Sequence, residues 1–225
     1  MTTGTLTLGG FTLVILAALV GALTVMAVLL LLSHVLQNNV MLLIAGMMVG
    51  YIASSMISLL NFRATAEGIH AMTLWGMGSF SSVSLDRLPW LVGISMVGLT
   101  LSVLLIKPLN ALLLGDNYAR NLGISITRTR TLLLFTTGLL TASSTAFCGP
   151  IAFVGLAVPH IARLLLGSAN HRILLPATLL TGSALALLCN LISTLPGESG
   201  VIPINVITPI IGAPVVLWVI LWLEK

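Results

Sequence analysis

Charge is what this sequence has least of. Of its 225 residues, 6% are charged and 58% hydrophobic, and its mean hydropathy is +1.17. A soluble domain carries about 25% charged residues, so this chain cannot cover a water-facing surface. Composition therefore excludes an ordinary soluble domain and points to a membrane protein that crosses the bilayer repeatedly. Acids are scarcest: Glu67, Asp86, Asp116, Glu198 and Glu224, all at the ends of apolar runs or between them. A carrier driven by protons or sodium ions ordinarily needs an ionisable group near mid-membrane, so that class is disfavoured. The only lysines are Lys107 and Lys225, and no G-x-x-x-x-G-K-[ST] is present. Nucleotide is not bound through that motif here. The two cysteines, Cys148 and Cys189, form no CxxC and join no Cys/His cluster. They read as small buried side chains, and no metal site is expected. The opening "MTTGTLTLGG" has no basic n-region and does not look like a signal peptide.

What is present is apolar sequence in long runs. A spanning helix needs about 20 mostly apolar residues. Seven candidates meet or approach that, over 11–32, 40–60, 90–106, 131–147, 150–166, 173–194 and 206–223. The fold class expected is an all-α polytopic helix bundle, a single transmembrane domain over 1–225. Segment 64–80 is too mixed to span and reads as a short helix lying at the membrane surface. With seven spans, one side receives Lys107, Arg120, Arg128, Arg130, Arg163, Arg172 and Lys225, and the other only Arg63 and Arg87. The positive-inside rule puts the richer side, and the C-terminus, in the cytoplasm. The pI near 9.7 then reflects basic loops, not nucleic-acid binding. An N-terminus stranded outside suggests helices before Met1.

One polar island interrupts the apolar runs, "LLGDNYARNLGISITRTR" at 113–130, within a cytoplasmic loop over 107–130. Asp116 suits the first turn of a helix, where the dipole is positive. Ala119 is small, Leu122 is apolar, and Gly123 can end the helix. Two short helices exposing a small residue and a glycine would make a knob for a groove on a partner. The bland alternative is an ordinary amphipathic surface helix.

The pattern acid–x–x–Ala–x–x–Leu–Gly resembles the coupling loop of bacterial ABC importer permeases. More specifically, the chain resembles the FecCD-type family of iron-siderophore, haem and cobalamin permeases. "CGPIAFVGLAVPHIARLLLG" is similar to a family segment through Gly149, Phe153, Gly155, Leu156, Pro159, His160 and Arg163. "VIPINVITPIIGAPVVLWVIL" is similar to the last family helix, ending in Gly212-Ala213-Pro214. The resemblance runs from the first helix to Lys225. It implies a permease subunit of the bacterial cytoplasmic (inner) membrane that binds no cofactor itself. ATP and Mg would be held by separate ABC ATPase subunits. Its other partners would be a second permease subunit, identical or homologous, and an external substrate-binding protein.

On this reading Gly115, Asp116, Ala119, Arg120, Leu122 and Gly123 couple ATP hydrolysis to alternating access. The cargo class is an iron-siderophore or related chelate, with ferric siderophore ranked first. Family members usually have ten helices, so this chain would begin near the fourth. It departs from the family at Thr194, where arginine is usual, and at Val201-Ile202-Pro203 and Asn205, where Glu-Leu-Pro and glycine are usual. Those departures bear on how a binding protein is gripped. The alternatives are an ion-coupled secondary carrier and a non-transporting half-permease scaffold.

Other residues carry weaker signals. Gly46 and Gly50 form a GxxxG suited to close helix packing. Asn38 and Asn39 resemble polar residues at the family's cytoplasmic gate. His160, beside Pro159, is expected to serve a kinked helix in preference to a metal or haem. His70, Met72 and Met77 read as surface and filler residues. Ser143, Ser144 and Thr145 are expected to satisfy one another or backbone carbonyls.

Overall fold

The computed structural model describes residues 3–36, 38–195 and 202–223. Its elements are α1 (Thr3–Val35), α2 (Asn39–Arg63), α3 (Ala66–Gly76), a 3-10 turn (Phe80–Ser82), α4 (Leu88–Leu104), α5 (Ile106–Leu112), α6 (Asp116–Asn121), α7 (Ile126–Cys148), α8 (Val154–Leu166), α9 (His171–Thr194) and α10 (Ile204–Leu223). No strand occurs among the described residues. The chain is an all-α polytopic membrane protein.

Among the described residues four helices are long and apolar enough to cross a membrane: α1 through Leu16–Ser33, α2, α7 and α9. The bent pair α4–α5, with 47° between its parts, makes a fifth. Pro89 sits in the first turn of α4, where its missing N–H costs no helical bond.

The expected crossing over 150–166 is shorter than the sequence suggested. Helix α8 begins only at Val154 and has 13 residues. Gly149 (φ 77) and Phe153 (φ 65) hold the preceding stretch in left-handed backbone, which a right-handed helix cannot include. The Ile204–Trp218 stretch of α10 is likewise one of the shorter apolar helices, and α10 contains Pro209 and Pro214. The mixed segment 64–80 does form a short helix, α3, of 11 residues.

The chain divides into two compact units, Met1–Leu74 with Ser84–Phe147, and Trp75–Val83 with Cys148–Lys225. In the first, close approach rests on glycine. A Cβ at Gly98 of α4 would lie 2.5 Å from Leu140 Cδ2 of α7, and one at Gly138 of α7 would lie 2.7 Å from Met26 Sδ of α1. Small residues let helices meet in lipid, where dispersion contacts replace the hydrophobic effect as glue. Helix α2 has no buried residue in its spanning window, and Tyr51, Leu59 and Phe62 are exposed. Such a surface suits lipid or partner helices, not water.

In the second unit α8, α9 and α10 pack on one another. Ala157, Ala162 and Cys189 are fully buried there. A Cβ at Gly212 of α10 would stand 3.1 Å from Phe153 Cβ and 3.5 Å from Ala157 Cβ, and one at Gly182 of α9 would stand 3.4 Å from Val158 Cγ1. In both units several hydroxyls bond back to their own helices. Thr136 donates to Leu132 O at 2.7 Å, Thr178 to Leu174 O at 2.7 Å and Thr181 to Ala177 O at 2.7 Å. In lipid no water satisfies such groups, so the local carbonyl does. Ser143 and Ser144 do the same, to Leu140 O and Thr141 O.

Candidate functional site

The polar island folds as two short helices joined by a glycine turn. Leu114 and Gly115 close the turn through Ala111 O (3.1 Å) and Leu112 O (3.1 Å). Gly115 has φ 101 and ψ 156 and precedes α6 as its N-cap. That backbone is nearly closed to residues with a Cβ, although the space around it is open. Helix α6 starts at Asp116, whose carboxylate lies at the positive end of the helix dipole. Its other end is a Schellman cap. Ile124 N donates to Ala119 O at 3.0 Å, and Gly123 N donates to Arg120 O at 2.9 Å. Gly123 has the required left-handed φ of 78. Each end of a six-residue helix is thus set by one glycine.

One expectation is corrected. Ala119 does not present its methyl to a partner: its exposure is 0%. The single buried position of α6 is turned inward, because so short a helix holds its place by burying one small side chain. The knob surface consists instead of Tyr118 (51% exposed), Leu122 (58%), Leu113 and Leu114. Asp116, Arg120 and Gly123 are exposed among them. Apolar side chains displayed in the most polar stretch of a membrane chain suit a protein partner. Sequence reasoning passed over Tyr118, Leu113 and Leu114; their exposed apolar character beside charge was the available signal. Asp116 and Arg130 line a common cavity of about 360 Å³ with Leu42 and Leu112.

Asn38 caps α2, its Oδ1 accepting from Val40 N at 2.8 Å. A side chain so engaged holds a helix start at the mouth of that span. The side chain of Asn39 and residues 196–201, with Val201, lie outside the described residues. Gly46 faces Leu29 of α1, where an added Cβ would be 3.7 Å from Cδ2, whereas Gly50 faces open space. Among the described residues, the first glycine of the GxxxG packs on a neighbouring helix and the second does not.

The 149–163 segment is brought together around backbone strain. A Cβ at Gly149 would collide with the Trp75 carbonyl. Phe153 caps α8 with positive φ, and Gly155 has open space around it. Pro159 lies inside α8. His160 Nδ1 is 2.7 Å from Leu156 O, so its ring bonds within the helix, as a structural residue would. Arg163 sits in the last turn of α8, and Gly167 N closes that end on Arg163 O at 2.9 Å. Pro214 lies inside α10, two residues beyond Gly212.

Asn205 is the residue whose importance the sequence hid. Its Nδ2 donates to Gly76 O at 3.0 Å and to Pro150 O at 2.6 Å. Its Oδ1 accepts from Ala152 N at 2.9 Å, and its backbone N donates to Met77 O at 3.2 Å. One side chain ties the start of α10 to the end of α3 and to the turn before α8. The replacement of a usual glycine was the only sign.

The FecCD transport family matches residues 1–222. The vitamin B12 import system permease protein BtuC of Photorhabdus laumondii is 38% identical over 218 residues, which cover 94% of this chain and 63% of that protein. BtuC of Salmonella arizonae is 34% identical over 206 residues, covering 92% and 62%. Among solved structures, an inward-facing conformation of a transporter assigned to the metal-chelate type of ABC transporters matches with a TM-score of 0.77 and 32% identity. That match covers 89% of this chain and 63% of the other. The chain therefore spans somewhat less than two thirds of the length of these relatives.

Proposed function

This chain belongs to the FecCD transport family, and from that premise we propose that it is a permease subunit of an ATP-driven importer of metal chelates. ATPase subunits dock on the exposed face of α6 and the turn before it, on the cytoplasmic side. Nucleotide-driven movement of the ATPases is passed to α5 and α7, which flank α6 in the chain, and so to the spanning helices. A second permease subunit faces this one across the pathway, and an external binding protein delivers the cargo. The observation that carries the reading is the α6 knob: a rigidly capped helix showing Tyr118 and Leu122 between charges.

The two curated relatives described above are vitamin B12 permeases, so the cargo proposed first is a corrinoid, itself a cobalt chelate, ahead of the ferric siderophore that the sequence suggested. The test is uptake by cells expressing the complete importer, with labelled cyanocobalamin and a labelled ferric siderophore supplied in parallel. Uptake of cyanocobalamin should stop on ATP depletion and survive collapse of the proton gradient. Uptake that follows the gradient would overturn the importer reading. Siderophore uptake without cyanocobalamin uptake would overturn only the cargo.

A further inference from the structure

We propose that the first unit holds an anionic phospholipid in a cavity beside the island, with Arg128 binding the phosphate and a leucine-lined slot taking one acyl chain. The cavity measures about 400 Å³ and is lined by Leu101, Leu104 and Leu105 of the α4–α5 bend and by Arg128, Thr129 and Leu132 of α7. Its size lies in the range of small-molecule sites. Its chemistry is divided. The α4 side is all leucine, and the α7 side supplies one cation.

Two of the lining hydroxyls are engaged with backbone carbonyls: Thr129 donates to Ser125 O at 3.0 Å and Thr136 to Leu132 O at 2.7 Å. Ser125 Oγ accepts from Arg128 N at 3.4 Å. Arg128 is the one charged group in the lining, and Ser125 Oγ keeps its own proton to donate beside it. Arg128 is exposed, as are Lys107, next to the lining Pro108, and Arg120, three residues before the lining Gly123. The cavity's place in the chain and the chemistry of its cation point to the occupant. The cavity lies where the spanning pair α4–α5 breaks, near the ends of membrane helices. A guanidinium there meets phosphate as a planar two-pronged donor, while the apolar slot excludes a free hydrated anion. Basic pockets between membrane helices at their ends take anionic headgroups for these reasons. This site does not depend on transport or on cargo.

The test uses the full chain purified in detergent, stripped of lipid and titrated with phosphatidylglycerol or phosphatidylcholine, bound lipid being read by native mass spectrometry. Phosphatidylglycerol should bind more tightly by roughly five- to tenfold, the scale set by one interfacial cation. Arg128→Gln should abolish the preference, and Arg63→Gln should leave it intact. Leu132→Trp should reduce binding of both lipids by filling the slot. Equal binding of the two lipids, or a preference that survives Arg128→Gln, would overturn the proposal. So would displacement of phosphatidylglycerol by inorganic phosphate alone, because the acyl slot would then contribute nothing.

Discussion

Asn205 ties three segments of the second unit together through one side chain. Its amide reaches two carbonyls and one N–H on two other segments. A half-buried hydrogen bond contributes about 1 kcal/mol, and stranding its partners costs about 1–3 kcal/mol. Asn205→Ala should therefore lower the melting temperature of the purified protein by several degrees, and Asn205→Gly should lower it as much, since glycine adds backbone freedom. Unchanged melting of both variants would show that the ties carry no weight. Gly149 belongs at the same scale. Gly149→Ala meets both a left-handed φ and the Trp75 carbonyl, and should cost about 1–3 kcal/mol, read as reduced yield of folded protein in fluorescence-detected gel filtration. These two positions show how unevenly the sequence can be read. Gly149 stands in a recognisable motif. Asn205 looked like a departure, because a pattern of residue types does not show which carbonyls lie within reach of an amide.

At the scale of the element, α6 separates burial from display. Ala119 at 0% exposure anchors the helix, while Tyr118 and Leu122 face outward. Ala119→Arg should therefore lose folded protein, whereas Leu122→Arg should fold normally and lose the ATPase on purification. Equal amounts of folded, ATPase-bound complex from both variants would contradict this division. The start of α6 at Asp116 and its end at Gly123 were legible from dipole and capping rules. The facing of Ala119 was not, because a helix of six residues is too short for periodicity to define a face. The same physics accounts for α8. Its apolar composition suggested a longer helix, but composition is blind to the positive φ of Phe153.

For the whole molecule, the all-α class was legible because so little charge leaves lipid as the only adequate solvent. Orientation rests on the distribution of Arg and Lys alone, and it can be measured. The native cysteines Cys148 and Cys189 are buried, which suits labelling of introduced ones. In intact cells stripped of outer layers, a membrane-impermeant maleimide should label Ser81→Cys directly and Leu114→Cys only after permeabilisation. The reverse pattern would place the island on the outside and remove any route to a cytoplasmic ATPase.

The measurement that tests the central claim most directly is photo-crosslinking from position 122. A photoreactive phenylalanine analogue would replace Leu122 in the chain as it stands in native membranes, and the adducts would be identified by mass spectrometry. The predicted result is an adduct with a soluble subunit carrying a G-x-x-x-x-G-K-[ST] motif, lost when Tyr118 and Arg120 are both changed to alanine. Adducts confined to lipid, or to proteins without such a motif, would contradict the account.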